Sequence, residues 1–261
     1  MTGNPAKKLE LTTTVAAPLE AVWEAITTAQ GMSAWYVSSA EINAELGGEL
    51  SISFGEGPPG VSKIDVWEPS SRVRFAYLPQ GGMEIGEMEG GSEEWLLSHD
   101  DGITTVRLVH SLPDPGVDDW EGYYGDITRG WRLFLATLRF YVECTERNGR
   151  VTTLSTPSVA GESEAVWSQL QEELGLGSIL PGATTTVTIN GEAIATRVLE
   201  AVAPLGLLLD VDGTLLFADI EGGGEHRVLY TVASTYTADT PETQSRRAAL
   251  VAAAEQAATA T

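Results

Sequence analysis

The stretch LELTTTVAAPLEAVWEAITT, from Leu9 to Thr28, combines a strand pattern and a helix pattern on either side of a proline. Its first seven residues alternate along the chain, which predicts a half-buried β-strand from Leu9 to Val15. Pro18 suits the first turn of a helix, and the apolar residues after it recur at three- and four-residue spacing on one helical face. The stretch therefore predicts a strand followed by an amphipathic helix.

The sequence after this stretch predicts a second short helix, then several antiparallel strands and one long helix. Gly-Gly, Pro and Asp-Gly turns divide the strand-like runs, and Asp101-Gly102 between two alternating runs predicts a tight hairpin. The segment DITRGWRLFLATLRFYVECTE places its apolar residues on one helical stripe, with Asp126 as the expected N-cap. This order predicts an α+β helix-grip fold, in which a curved sheet wraps around the last helix.

Residues 1–148 resemble the SRPBCC, or START-like, superfamily, and within it the branch of the activator of heat-shock protein 90 ATPase. The resemblance is carried, in this order, by VAAPLEAVWEAIT, Trp35, LGGEL, IDVWEPSSRVRFAY, TTVRLVHS and Gly130-Trp131. Each motif is short, so the resemblance depends on their order and spacing together. It implies a cavity between the sheet and the last helix, which in this superfamily commonly holds lipids, polyketides or plant hormones.

Residues 149–261 repeat this pattern in a shortened form. The segment RVTTLSTPSVAGESEAVW, from Arg150, again joins a Thr-rich strand, a proline and a helix that contains Glu-Ala-Val-Trp. Self-similarity over a long period indicates duplication. We therefore expect a tandem protein, with a full helix-grip domain at residues 1–148 and a shortened, diverged second helix-grip-like domain at residues 149–261.

The stretch LGLLLDVDGTLLF, from Leu205, resembles the nucleophile motif of haloacid-dehalogenase-type phosphatases. Those enzymes need a lysine to hold phosphate charge, whereas the cations after Gly213 are all arginines. Phosphoryl transfer depends mainly on arranged positive charge, so this reading is disfavoured. Alignment with the first copy instead predicts a hairpin between antiparallel strands, with Asp212-Gly213 as its turn.

The chain carries 37 acidic and 15 basic side chains, for a formal net charge of −22. This balance argues against nucleic acid and anionic membrane surfaces as partners, because both need compensating Lys and Arg. A single cysteine, Cys144, excludes an internal disulfide. The sequence has no apolar run long enough for a membrane helix and no visible secretory signal, which predicts a cytoplasmic location. We expect no cofactor.

The candidate ligand-binding residues are His110 and the aromatic side chains concentrated in the first domain. His110 alternates with Val106 and Leu108, so it faces the same side of a strand and is either a hydrogen-bonding or acid/base group in the cavity or a structural residue. His99 and His226 flank turns and are expected to be exposed, so no metal site is predicted. The aromatic residues line a cavity or fill the core, and the sequence leaves both open. The predicted cavity residues are Trp35, Tyr36, Trp67, Phe75, Tyr77, Trp95, His110, Tyr124, Trp131 and Phe134.

Three functions are compatible with these observations. The first is non-catalytic binding of an apolar or aromatic small molecule in the first-domain cavity. The second, implied by the resemblance, is a co-chaperone-like module with a chaperone or another protein as its partner. The third is a cyclase- or hydrolase-like enzyme that uses His110 in the same cavity. We predict no catalytic residue, because the sequence supplies no matched nucleophile and base.

Overall fold

The computed structural model describes residues 6–55, 58–78, 90–114, 116, 118–144, 149–159, 161–177, 179–203, 205–222 and 227–259. Contacts divide the chain into two compact units: Met1–Tyr124 with Thr137–Thr145, and Gly125–Ala136 with Glu146–Thr261. The domain boundary predicted after residue 148 adjoins residues 145–148, which lie outside the described residues.

The first unit contains an antiparallel sheet of seven strands. These are β1 (Lys7–Val15), β2 (Ser39–Ile42), β3 (Glu49–Ser53), β4 (Gly60–Glu68), β5 (Arg72–Tyr77), β6 (Ser92–Asp100) and β7 (Ile103–Leu112). Their order in the sheet is β1-β7-β6-β5-β4-β3-β2, so the first strand lies beside the last. The helices up to residue 144 are α1 (Leu19–Thr27), α2 (Ala29–Trp35) and α3 (Trp120–Glu143), and the Gly125–Ala136 segment of α3 belongs to the second unit. This element order confirms the predicted α+β helix-grip fold.

The two short helices follow from the opening stretch of sequence. Val22, Ala25 and Ile26 form the buried face of α1, as their spacing predicts. Thr28 then separates α1 from α2, and its hydroxyl accepts a hydrogen bond from the Gly31 amide at 2.9 Å. A Cβ atom on Gly31 would lie 2.2 Å from the carbonyl oxygen of Glu24, so only glycine fits this close approach of the helices.

The predicted Asp101-Gly102 hairpin is confirmed. Both residues have positive φ, 46° for Asp101 and 79° for Gly102, which suits the twist of a two-residue hairpin. Asp100 pairs with Ile103, and the same register continues along β6 and β7. The turn therefore determines which side chains of the two strands lie opposite one another.

The start of α3 differs from the prediction. The helix begins at Trp120, and the side chain of Asp119 accepts a hydrogen bond from the Gly122 amide at 2.9 Å. Asp119 is therefore the N-cap, and Asp126 lies inside the helix rather than at its start. Both aspartates precede helix-compatible sequence, so the sequence pattern alone did not distinguish between them.

The second unit contains an antiparallel sheet of six strands. These are β8 (Val151–Ser155), β9 (Thr184–Ile189), β10 (Glu192–Val202), β11 (Gly206–Val211), β12 (Thr214–Glu221) and β13 (Val228–Thr235). Their order is β8-β13-β12-β11-β10-β9, which again places the first strand beside the last. The helices α4 (Ser163–Glu173) and α5 (Pro241–Thr259) complete the repeat. The predicted tandem arrangement is confirmed, with a smaller second copy.

Both faces of this second sheet are covered within the unit. On one face, Leu207, Leu209 and Leu216 pack with Leu250 and other residues of α5. On the opposite face, Leu208, Phe217 and Val232 pack with Leu133 and Phe134 of the α3 segment that belongs to this unit. A sheet covered on both faces needs apolar residues at nearly every position, which explains the unbroken apolar runs of β11 and β12.

A buried ion pair accompanies the second of these faces. Arg129, 8% exposed, donates from Nε to Asp219 and from Nη2 to the carbonyl of Ile220 and to Asp126 Oδ1. Asp219 is fully buried, and its Oδ2 atom has no hydrogen-bond partner among the described residues. Burial raises the pKa of Asp219 to about 8, although the charge of Arg129 opposes the rise. The arginine therefore stabilises the charged form of a carboxyl group that lies away from water.

The stretch that resembles a phosphatase motif forms the predicted hairpin. Val211 pairs with Thr214 across an antiparallel turn in which Asp212 and Gly213 have φ of 48° and 80°. Asp210 is engaged structurally, because its carboxylate accepts hydrogen bonds from the Gly213 amide at 2.9 Å and from Arg197 at 3.0 Å. The phosphatase motif requires a parallel strand, so the structure supports the turn instead.

Gly213→Ala is expected to lower the free energy of unfolding by about 1 kcal/mol, because an alanine at positive φ is strained. Gly177→Ala is a suitable control, since the φ of Gly177 is not positive and a Cβ atom added there would have no heavy atom within 4 Å. Urea unfolding of both variants measures the difference. Equal stability of the two variants would contradict the hairpin as described.

Candidate functional site

Three polar side chains meet on one face of the first sheet. Glu93 of β6 lies opposite His110 of β7 and, on its other side, opposite Phe75 of β5. Tyr77 is two residues beyond Phe75 on β5 and therefore shares its face. Glu93 and His110 are buried, at 6% and 4% exposure, and Tyr77 is half-buried. Strand register thus collects a carboxyl, a phenol and an imidazole at one place.

These groups form a chain of hydrogen bonds. The Tyr77 hydroxyl donates to Glu93 Oε1 at 2.7 Å and lies 2.7 Å from His110 Nε2. The Tyr36 hydroxyl, next to the end of α2, donates to the same Oε1 atom at 3.3 Å. Tyr77 has a single hydroxyl proton, so when it donates to Glu93 it must accept from Nε2–H of His110. We name these four residues the Glu93 chain.

Burial shifts the pKa of three members of the Glu93 chain, which are Glu93, His110 and Tyr77. It raises the pKa of Glu93 to about 7, although the hydrogen bonds from Tyr77 and Tyr36 oppose the rise. It lowers the pKa of His110 to about 3, so the imidazole is neutral at neutral pH. Burial, reinforced by the nearby Glu93, raises the pKa of Tyr77 well above its usual value. The site therefore contains a carboxyl that can exchange a proton near pH 7.

Aromatic residues predicted for the cavity lie around the Glu93 chain in the first unit. Tyr36 stacks on Trp35, with ring centroids 5.1 Å apart, and Trp35 meets Trp95 edge-on at 6.0 Å. Trp35 also donates from Nε1 to the Ala25 carbonyl at 2.9 Å, which holds its ring against α1. Trp35, Phe75 and Trp95 are each at most 2% exposed. The structure brings these residues together with Tyr36, Tyr77 and His110.

The other predicted cavity residues lie elsewhere. Trp67 packs against Trp23 of α1, with centroids 5.1 Å apart. Tyr124 donates to the Lys8 carbonyl at 3.3 Å, and its ring lies 4.5 Å from Lys7 Nζ. Trp131 and Phe134 are grouped with the second unit, where the Phe134 ring lies 5.1 Å from that of Phe217. That these four residues line a ligand cavity stays a prediction.

Among the four residues of the Glu93 chain, Glu93 is the one that the sequence patterns did not single out, although the sequence contains a signal for it. A two-residue turn at Asp101-Gly102 places Asp100 opposite Ile103, and counting back along both strands places Glu93 opposite His110. A carboxyl opposite an inward-facing histidine is unusual on a buried face. The hairpin prediction therefore contained the pairing that identifies the site.

Matching β-bulges allow the two sheets to be compared position by position. The register shifts between Ile64 and Val66 where β4 pairs with β5, and between Val198 and Glu200 where β10 pairs with β11. Bulges interrupt a ladder at a defined residue, so they give a common reference point in each copy. Ile64 of the first unit therefore corresponds to Val198 of the second.

At the positions of the Glu93 chain, the second unit has apolar residues. Across the first sheet the paired row runs Ile64, Phe75, Glu93, His110. Across the second sheet the corresponding row runs Val198, Leu209, Leu216, Ala233. Glu93 thus corresponds to Leu216, His110 to Ala233 and, two residues along β11, Tyr77 to Val211. These three residues are fully buried in the apolar core that contains α5 residues.

The remaining histidines contribute no further site in the described residues. His99 is exposed, as predicted, and its Nδ1 lies 2.9 Å from the Thr104 hydroxyl. His226 lies outside the described residues. Within the described part of the chain, no group of three or more His, Cys, Asp or Glu side chains is arranged to hold a metal ion. Among the same residues, no helix has the length and apolar character needed to cross a membrane.

Comparison with known proteins shows similarity in sequence and in structure. Residues 16–143 match the model of the family described as Activator of Hsp90 ATPase homolog 1-like protein. A search of curated proteins found no match. Among solved structures, the Aha1 dimer from Colwellia psychrerythraea is 20% identical, over 52% of this chain and 96% of that chain, with a TM-score of 0.45.

Two further solved structures are similar over nearly the whole chain. DynU16, from the dynemicin biosynthetic locus, is 18% identical, over 97% of this chain and 96% of that chain, with a TM-score of 0.42. The di-domain ARO/CYC BexL, from the BE-7585A biosynthetic pathway, is 13% identical, over 98% of this chain and 99% of that chain, with a TM-score of 0.45.

Proposed function

We propose that residues 16–143, which match the model of the family described as Activator of Hsp90 ATPase homolog 1-like protein, form a binding module for an apolar or aromatic small molecule. The ligand lies against the face of the first sheet that carries the Glu93 chain. The observation that carries this proposal is that Glu93 is buried and accepts hydrogen bonds from two tyrosines. In the second unit, the corresponding row of paired residues is apolar.

The fold itself does not need a carboxyl at this position. Leu216, Ala233 and Val211 close the corresponding face of the second unit and are fully buried. Burying an ionisable group costs free energy, and the raised pKa of Glu93 expresses that cost. A costly group at a position where leucine suffices is a candidate for function.

The surroundings of the Glu93 chain suit an aromatic ligand with one or a few polar groups. Small-molecule sites in proteins combine apolar and aromatic walls with a small number of polar groups that orient the ligand. Tyr36 and Tyr77 provide ring faces beside Glu93, and Trp35 and Trp95 extend the aromatic cluster. The carboxyl then orients a molecule whose remaining surface is apolar.

The test exchanges the site for its counterpart in the second unit. We expect 2-naphthol to bind the intact chain with one saturable site, measured by isothermal titration calorimetry. The double variant Glu93→Leu with His110→Ala carries the residues of the second unit. It should fold, yet bind 2-naphthol at least about tenfold more weakly than the intact chain does. The loss is expected because the variant retains apolar walls but no orienting groups.

A matched control uses the neighbouring residue on β6. Glu94 points to the opposite face of the strand and pairs with Arg72 through Oε1 at 2.7 Å, so Glu94→Gln should leave binding unchanged. The proposal fails when the intact chain binds no 2-naphthol, or when the double variant binds it as tightly as the intact chain does.

A cyclase- or hydrolase-like activity is the second candidate. It is favoured by the same chain of hydrogen bonds, because a carboxyl with a pKa of about 7 can accept and return a proton at neutral pH. His110 orients Tyr77, which in turn contacts Glu93. A turnover that His110→Ala abolishes in a folded protein would establish catalysis in place of simple binding.

A further inference from the structure

The two oxygens of Glu93 are in different situations. Tyr36 and Tyr77 both donate to Oε1. No described residue donates to Oε2, and this atom is not among the fully buried polar atoms without a partner in the described part of the chain. Among the described residues, Oε2 therefore keeps its acceptor capacity, and Glu93 as a residue is 6% exposed.

The hydrogen-bond donors that face Glu93 are already engaged. Tyr36 and Tyr77 each have one hydroxyl proton, and both protons point to Oε1. When Tyr77 donates to Glu93, its oxygen takes the Nε2 proton of His110. What the site offers to a ligand through Glu93 is thus an acceptor.

Resting on the binding function proposed above, we propose that Glu93 Oε2 selects ligands by their hydrogen-bond donors. An aromatic molecule with a phenolic or alcoholic hydroxyl binds there in preference to one that presents only acceptors. An acceptor-only ligand would displace water from Oε2 and leave a carboxylate oxygen unpaired, which costs more than a neutral contact gains. Glu93 is therefore the specificity-determining residue of the site.

The preference depends on pH because Glu93 loses its proton near pH 7. Above this pH both oxygens are acceptors, whereas below it the carboxyl carries a proton of its own and can also donate. The titratable groups nearest to it are Tyr77 on β5, His110 on β7 and Tyr36 after α2. Tyr123 on α3 acts on Tyr77. His110 and Tyr77 keep one protonation state between pH 5 and pH 8, since the pKa of His110 is about 3 and that of Tyr77 is well above its usual value. The selectivity for donors is accordingly larger at pH 8 than at pH 5.5.

The experiment compares two ligands of similar shape, one with a hydroxyl and one with a methoxy group. At pH 8 the intact chain should bind 2-naphthol, whose hydroxyl is a donor, about tenfold more tightly than 2-methoxynaphthalene, which is only an acceptor. In Glu93→Gln the tyrosines still require an acceptor, so the amide oxygen takes the Oε1 position and the amide NH₂ takes the Oε2 position. The preference should disappear or reverse in this variant, and Glu94→Gln should keep it.

The outcomes separate this inference from the binding function. Equal affinity of the intact chain for the two ligands overturns the selectivity and leaves the binding function in place. Absence of binding by both ligands overturns both. A preference that survives in Glu93→Gln, with thermal unfolding showing a folded variant, also overturns the inference, because selectivity would then come from another residue.

Discussion

Arg129→Met is expected to lower the free energy of unfolding at pH 8 by about 3–5 kcal/mol, because the buried Asp219 carboxyl must then either stay charged without its partner or take up a proton. Asp219 is fully buried, and one of its oxygens already has no partner among the described residues. Removing the arginine leaves the carboxyl of Asp219, which lies on β12 close to Gly130 of α3, with no compensating charge. Urea unfolding followed by circular dichroism measures the loss.

Two variants make this result specific. Arg139 lies on the same helix with 58% of its side chain exposed and pairs with Glu143, so Arg139→Met should cost at most about 1 kcal/mol. Adding Asp219→Asn to Arg129→Met removes the unpaired charge and should recover most of the loss. A cost for Arg129→Met no greater than that for Arg139→Met would contradict the buried pair.

The loss caused by Arg129→Met should also depend on pH. Asp219 has a pKa raised to about 8 in the folded chain, so it binds a proton more tightly there than in the unfolded chain. Without Arg129 its pKa rises further, and at pH 5 the carboxyl is protonated and neutral. The destabilisation measured at pH 5 should therefore be smaller than at pH 8.

Glu93→Gln is expected to raise the free energy of unfolding at pH 8 by about 2–3 kcal/mol. The pKa of Glu93 is raised from 4.5 to about 7, so the folded chain binds this proton more tightly than the unfolded chain. The stability contributed by that proton is complete below pH 4.5 and is lost as the pH rises through 7. Glutamine has no charge to bury, and it therefore lacks this loss.

The measurement is the free energy of unfolding of both proteins from pH 4 to pH 8. The two curves should nearly meet at pH 4 and separate between pH 4.5 and pH 7, with the variant more stable above. His110 acts in the opposite direction in both proteins, because its lowered pKa makes stability rise with pH up to about 6.5. Parallel curves over the whole range would show that Glu93 titrates normally and is not buried as described.

Local signals in the sequence predicted most of the fold. The alternation from Leu9 to Val15 and the helical spacing after Pro18 are set by neighbouring residues, and the structure has both elements. Asp101-Gly102 and Asp212-Gly213 form turns because each needs positive φ at two successive positions. Strand β2 (Ser39–Ile42) was not predicted, since its four residues are too few to show a period and are at most half-buried.

The site was less accessible to prediction because its members meet through long-range pairing. His110 was identified from its own strand, but Glu93 and Tyr77 reach it only through the register of β5, β6 and β7. On α3, the apolar face is predictable from local spacing, but its packing partner is not. Its spacing predicts an apolar face at Phe134, but periodicity does not specify a partner, and the structure places Phe134 on Phe217.

Glu93 either belongs to a ligand site, as we propose, or to a closed core. A crystal structure of the chain with bound 2-naphthol distinguishes the two most directly. We expect the naphthol oxygen about 2.7 Å from Glu93 Oε2, with the rings against Tyr36 and Tyr77. A naphthol bound at another position, with side chains filling the space beside Oε2, would show that the carboxyl belongs to a closed core.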